Sequence, residues 1–132
     1  MTNEAVCIET PTEFRRYTVA DGTGIAIGTI LKLTDPNTAI ASSGDGDAFA
    51  GIAWEEKTAN DGITEITAAV NGIWDIKDSG SGFNAGAIVC VAGANVVKVA
   101  QAANLLTGSV VGKSLETASA GEVVRVAVGR SI

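Results

Sequence analysis

Any chemistry performed by this chain has to come from carboxylates, because the residue types that usually do it are missing. The sequence contains no histidine, which removes the commonest general base and the commonest metal ligand. Ser-His-Asp and Cys-His arrangements are excluded with it. Two cysteines, Cys7 and Cys90, lie far apart and do not make a zinc site without histidine partners. Two carboxylate pairs stand out: Asp45 and Asp47 in Gly-Asp-Gly-Asp, and Asp75 and Asp78 beside a Gly-Ser-rich stretch. Calcium seeks clustered oxygens, but neither run has the spacing of an EF-hand loop. Asp in turns accounts for both more simply, since its side chain bonds to nearby backbone. A two-carboxylate glycosidase centre would want accompanying aromatics, and Phe, Trp and Tyr reach only 5% of the chain. Gly22-Thr-Gly24-Ile-Ala-Ile-Gly28 has its third glycine one residue late for a dinucleotide loop, and the residues after it read as strand. No helix N-terminus is therefore offered to phosphate. The sequence predicts no catalytic centre, no metal and no cofactor.

Charge narrows the partners. The formal net charge is −6, and nine Lys and Arg are scattered, with only Arg15-Arg16 adjacent. A nucleic-acid binder needs clustered cations to displace counterions, so nucleic acid is not an expected ligand. No apolar stretch approaches the roughly 20 residues needed to span a bilayer, so no membrane is expected either. Met1 is followed by polar Thr2-Asn3-Glu4 rather than by a leader-like apolar run. The expectation is a soluble protein made in a reducing cytoplasm, with Cys7 and Cys90 as free thiols in apolar runs. Trp54 and Trp74 each come late in a strand-like segment. They read as core residues or, alternatively, as anchors of a protein contact, where Trp is enriched.

The elements that would hold these residues are β-strands. Hydrophobic residues make up 46% of the chain, mostly small ones, with 16 Gly. Short apolar runs are cut by Gly, Asn, Asp and Ser, the pattern of a sandwich or barrel. Segments 25–33, 38–41, 49–54, 63–76, 87–92, 96–100 and 123–128 read as strand. Asp35-Pro36-Asn37 and Gly93-Ala94-Asn95 read as turns. Within 63–76, Thr64, Ile66, Ala68 and Val70 alternate with Ile63, Glu65, Thr67 and Ala69. Asn71-Gly72 there reads as a hairpin or bulge. Residues 99–106 read as one or two helical turns or as a loop.

A weak self-similarity runs through the chain. Gly28-Thr-Ile-Leu-Lys-Leu matches Gly86-Ala-Ile-Val-Cys-Val, and Asn37 matches Asn95, each 58 positions on. Phe49-Ala-Gly51 matches Leu106-Thr-Gly108 at 57, and Ile66, Ala68 and Val70 match Val124, Val126 and Val128 at 58. The predicted organisation is residues 1–20 as an N-terminal arm or first strand and residues 21–132 as a single β domain. Within that domain, half-repeats of 25–78 and 83–132 would pair into one sandwich or barrel.

In its order of short motifs the chain resembles the small head decoration (cement) proteins of tailed bacteriophages and related viruses. The features that carry this are a polar N-terminal stretch, then Gly28-Thr-Ile-Leu-Lys-Leu33, then Ala48-Phe-Ala-Gly-Ile-Ala-Trp54. Val70-Asn-Gly-Ile-Trp-Asp75, Asn84-Ala-Gly-Ala-Ile-Val89 and Ser119-Ala-Gly-Glu-Val-Val-Arg-Val-Ala-Val128 come after them. The resemblance covers most of residues 15–132. It implies a β-rich homotrimer on the outer surface of an icosahedral virion, bound at local threefold positions to the major capsid protein and stabilising the shell. It also implies that an N-terminal arm contacts the capsid, so Val6, Ile8, Phe14 and Tyr17 become candidate contacts beside Trp54 and Trp74. The rival expectation is a carbohydrate- or receptor-binding β module of a viral fibre or adhesin, which needs an exposed Trp54 or Trp74.

Overall fold

The structure is a computed structural model and describes residues 3–129. It is all-β with one short helix. The strands are β1 (Val6–Glu9), β2 (Phe14–Thr18), β3 (Ile30–Asp35), β4 (Thr38–Ala41), β5 (Phe49–Ala53) and β6 (Glu65–Ala69). They continue as β7 (Gly72–Asp78), β8 (Ile88–Gly93), β9 (Val96–Val99), β10 (Val110–Ser114) and β11 (Val123–Val128). Helix α1 (Ala102–Thr107) interrupts the connection from β9 to β10 and buries none of its residues.

These strands close into two small barrels with one shared topology. In the first, β2 runs parallel to β4 and antiparallel to β6, while β3 pairs with β4 and β5, and β5 pairs with β6. The second repeats every pairing with β7, β8, β9, β10 and β11 in the same roles. Register is repeated too. Leu31↔Ala41 and Leu33↔Ala39 correspond to Val89↔Val99 and Val91↔Val97, 58 positions later, with a bulge at the same place. Asn37 and Asn95 hold the two equivalent turns at φ 52° and 58°, a left-handed geometry that Asn tolerates better than most residues.

Three expectations are corrected by this arrangement. The stretch 63–76 is not one β region: β6 belongs to the first barrel and β7 to the second, and Asn71 lies between them. A division at 78/83 would leave β7 with the first half, but its partners β11 and β9 place it in the second. Phe49-Ala50-Gly51 corresponds to Val110-Val111-Gly112, not to Leu106-Thr-Gly108. Leu31 pairs with Gly51 as Val89 pairs with Gly112. A glycine is needed at that second position, because a Cβ on Gly112 would collide with the Ala127 carbonyl oxygen. The α1 turn lengthens the second barrel's connection, so the sequence offset changes while the pairing does not, and this hides β10 from a simple offset.

The N-terminal stretch is not an extended arm within the described residues. Strand β1 lies antiparallel on β7, with Val6↔Asp75, Cys7↔Trp74 and Glu9↔Ile73. The Ala5 N–H donates to the Gly28 carbonyl of the first barrel at 2.8 Å. Asn71 Oδ1 then accepts the N–H groups of Thr12 and Glu13 at 2.9 and 3.1 Å. The segment therefore straps one barrel to the other before β2 enters the first. Gly28, at φ +89°, leaves the space for this strap; a Cβ there would strike the Ala5 carbonyl oxygen, whereas Gly86 has open space.

Alternation explains how small side chains fill this molecule. Successive strand residues point to opposite faces, and in the first barrel the interior and the part of the outer face that meets the second barrel are both covered. Leu31, Ala53 and Ala68 face its interior, with Val19, Ile25 and Ile66. Their neighbours Ile30, Ile52 and Ala69 face the second barrel and join Trp74, Ile76, Val89, Val97, Val111 and Val126 in one continuous cluster. Asn95, fully buried, accepts the Ile30 N–H on its Oδ1 at 2.8 Å across that interface.

Polar staples fix the loops at the barrel ends. Lys57, fully buried, donates to the Asp21 and Thr58 carbonyls at 3.0 Å each, to Asp21 Oδ1 at 3.1 Å and to Asp61 Oδ1 at 2.6 Å. Burial pulls its pKa down, but the bonds to Asp61 and Asp21 outweigh this and leave it raised. Asp78 does the corresponding work in the second barrel. Its Oδ2 accepts the N–H groups of Gly80, Gly82 and Gly121 at 3.1, 2.8 and 3.0 Å.

Candidate interaction surface

The residues singled out by sequence fall into three places. Val6 and Ile8 stand on the outward face of β1, 59% and 37% exposed. Tyr17 is half-buried against the first barrel's core, and its hydroxyl donates to the Ala50 carbonyl at 2.7 Å. Trp74 is 1% exposed and belongs to the shared core, which corrects its standing as a contact candidate. Its indole N–H is already used by the Asn71 carbonyl at 3.0 Å.

Phe14 and Trp54 behave differently. They are 38% and 37% exposed, with ring centroids 5.5 Å apart. Trp54 in turn meets Trp74 edge-on at 6.0 Å and 80°. A line of three rings thus runs from the surface into the core, and the buried Trp74 supports the exposed Trp54 from beneath. Phe14, Arg15, Arg16, Trp54 and Thr67 line a shallow groove of about 390 Å³. The full pairing of β2 with β6, from Phe14↔Ala69 to Thr18↔Glu65, brings these residues together. The Trp54 N–H continues the ladder by donating to Thr67 at 2.9 Å.

Charge on this surface is lightly held. Arg15 approaches Glu13 at 3.4 Å, and Arg16 lies 3.3 Å from Glu65 and 3.7 Å from Glu55. All of these side chains are about half exposed, and such pairs contribute little to stability. Arg16 Nη1 also donates to the Thr67 hydroxyl at 2.9 Å, and Arg15 Nη1 to the Phe14 carbonyl at 3.0 Å.

The carboxylate pairs take structural positions. Asp47 accepts the Ser43 and Gly44 N–H groups at 2.9 and 2.8 Å, and Asp45 pairs with Lys98 at 2.7 Å. Asp75 faces Arg125 at 3.7 Å, and Asp78 holds the glycine amides of the second barrel's loops. Among the described residues, no three His, Cys, Asp or Glu side chains are placed to hold a metal ion, and no helix is long and apolar enough to cross a membrane. Cys7 and Cys90 are free thiols, and burial raises the pKa of both.

No known family model and no curated protein matches this chain in sequence. In the sequence, Phe14 and Trp54 are separate contact candidates, and Arg15-Arg16 is notable only as the one adjacent basic pair. Only the β2–β6 register shows that the four belong to one surface.

Proposed function

We propose that this chain is a viral capsid decoration protein, a structural subunit rather than an enzyme. It binds the major capsid protein on the outer surface of the icosahedral head, as a homotrimer at local threefold positions, and stabilises the shell. The observation that carries this reading is the exposed Phe14–Trp54 pair flanked by Arg15 and Arg16 and backed by Trp74. Trp and Arg anchors set in a packed surround are the side chains that dominate protein–protein interfaces. The order of sequence motifs supports the same reading, and a trimer making three such contacts at once gains avidity without a deep pocket.

Co-sedimentation with expanded heads assembled from the cognate major capsid protein tests this. The native chain should saturate the heads at a fixed ratio per threefold position. Trp54→Ala should weaken binding by about 30-fold, the loss of a hot spot worth roughly 2 kcal/mol, with its circular dichroism unchanged. Undiminished binding by Trp54→Ala together with Phe14→Ala removes this surface from the reading. Absence of any saturable binding removes the capsid.

Exposure of Trp54 also favours a second reading, a carbohydrate- or receptor-binding module that stacks a sugar on the indole. Saturable quenching of Trp54 fluorescence by a glycan, with no binding to heads, would select it.

A further inference from the structure

The two barrels differ at one strand edge. In the second barrel, β7 meets β9 only at Lys77 and Asp78, and the rest of that edge, Ile73–Asp75, is filled by β1. In the first barrel, β2 meets β4 only at Thr18↔Thr38. The corresponding remainder is Phe14–Arg16, matched to Ile73–Asp75 because Phe14 faces Ala69 as Ile73 faces Ala127. Among the described residues, no strand lies on it. Phe14, Arg15 and Arg16 are all exposed. The Thr18 N–H points to this edge, donating to Asn37. Backbone groups alternate in direction along a strand, so the N–H and C=O groups of Phe14 and Arg16 point there too. The Phe14 carbonyl accepts from the chain's own Arg15 Nη1 at 3.0 Å.

We infer that the Phe14–Arg16 edge of β2 is an acceptor site for an extended, acidic and apolar segment of a partner protein, which adds antiparallel to β2 as β1 adds to β7. This rests on the docking role proposed above and names the kind of segment the surface takes. Main-chain pairing of this type draws affinity from backbone hydrogen bonds and specificity from the flanking side chains. Here the flank is Arg15, Arg16 and the Phe14 ring in a chain of net charge −6. The strand occupying the equivalent edge, β1, is Val6-Cys-Ile-Glu9, with Glu4 two residues before it; an apolar middle with a carboxylate on either side is the composition that suits a flank of Phe14, Arg15 and Arg16. A second copy's β2 is a poor occupant, because antiparallel pairing would set arginine against arginine. A second copy's β1 is already engaged on its own β7.

The probe is the peptide Asn-Glu-Ala-Val-Ser-Ile-Glu-Thr, residues 3–10 with Cys7→Ser, titrated into the intact protein and followed by amide hydrogen exchange. Saturable binding should slow exchange at Phe14 and Arg16 at least tenfold and leave Ile73 and Asp75 unchanged. Arg15→Glu with Arg16→Glu should weaken the peptide at least tenfold, and a peptide with both glutamates changed to lysine should recover affinity for that variant. Protection at Ile73 and Asp75 instead would mean that the peptide merely displaces β1, and overturns the proposal. So does concentration-dependent protection of Phe14 and Arg16 without peptide, which would make a second copy the occupant, and so does no saturation at millimolar peptide. Head binding reports separately. If heads bind but the peptide does not, docking uses another contact; if the peptide binds but heads do not, the edge serves a different partner.

Discussion

Asp61 shows how a single residue ties this fold to pH. Its carboxyl is drawn down from the usual 3.8 to about 2, mainly by the hydrogen bond from Lys57 and then by the Ile63 amide. A carboxylate depressed in the folded state contributes stability that is fully present above its unfolded pKa and is lost as pH falls through the folded one. The denaturation midpoint should therefore fall between about pH 4 and pH 2, and Asp61→Asn should flatten that fall. Urea titrations across the interval measure it, and an identical slope in the variant would show that Asp61 is not the linked group. The role of Lys57 was invisible in sequence. A lysine between Glu56 and Thr58 reads as solvated, and only the bridge from Ile25 to Lys57 turns it inward.

At the scale of elements, β1 decides between an arm and a strap. It pairs with β7, rests Cys7 on the core and buries Ala5 against Gly28. Removing residues 1–9 should cost about 2–3 kcal/mol from a few net hydrogen bonds and modest apolar burial, read as a lower urea midpoint with β content kept. An unchanged midpoint would mean the segment holds nothing together. A deletion through residue 14 would also remove the start of β2, so it cannot isolate capsid binding from folding. The strands whose flanks carry Pro, Asn or Gly were legible in the sequence: β4, β5, β8, β9 and β11 lie within about one residue of expectation, whereas β3 starts at Ile30 rather than at Ile25. Strand β10 was not, because Val110-Val-Gly-Lys-Ser has two apolar residues and a glycine that reads as a breaker. That glycine is demanded by the close approach of β11.

For the whole molecule, the two barrels should unfold as one. Ile30, Ile52 and Ala69 of the first barrel lie in the same apolar cluster as the second barrel's interior, and Asn95 bonds across the interface. Ile30→Ala should lower stability by about 3 kcal/mol while calorimetry still shows a single transition. Two separated transitions in the native chain would mean that the shared cluster does not couple the barrels.

What the sequence determined by itself is the all-β class, the turns at Asn37 and Asn95, and the absence of histidine chemistry. These come from residue identity and short-range stereochemistry, which need no partner elements. Tertiary structure alone decided the closure into two barrels, the assignment of β7 to the second, the burial of Trp74 beneath an exposed Trp54, and the open edge at Phe14–Arg16. Each of these depends on which strands meet across tens of residues. That is set by how apolar faces are shared between the barrels, and no local pattern in a chain of small, similar side chains records it.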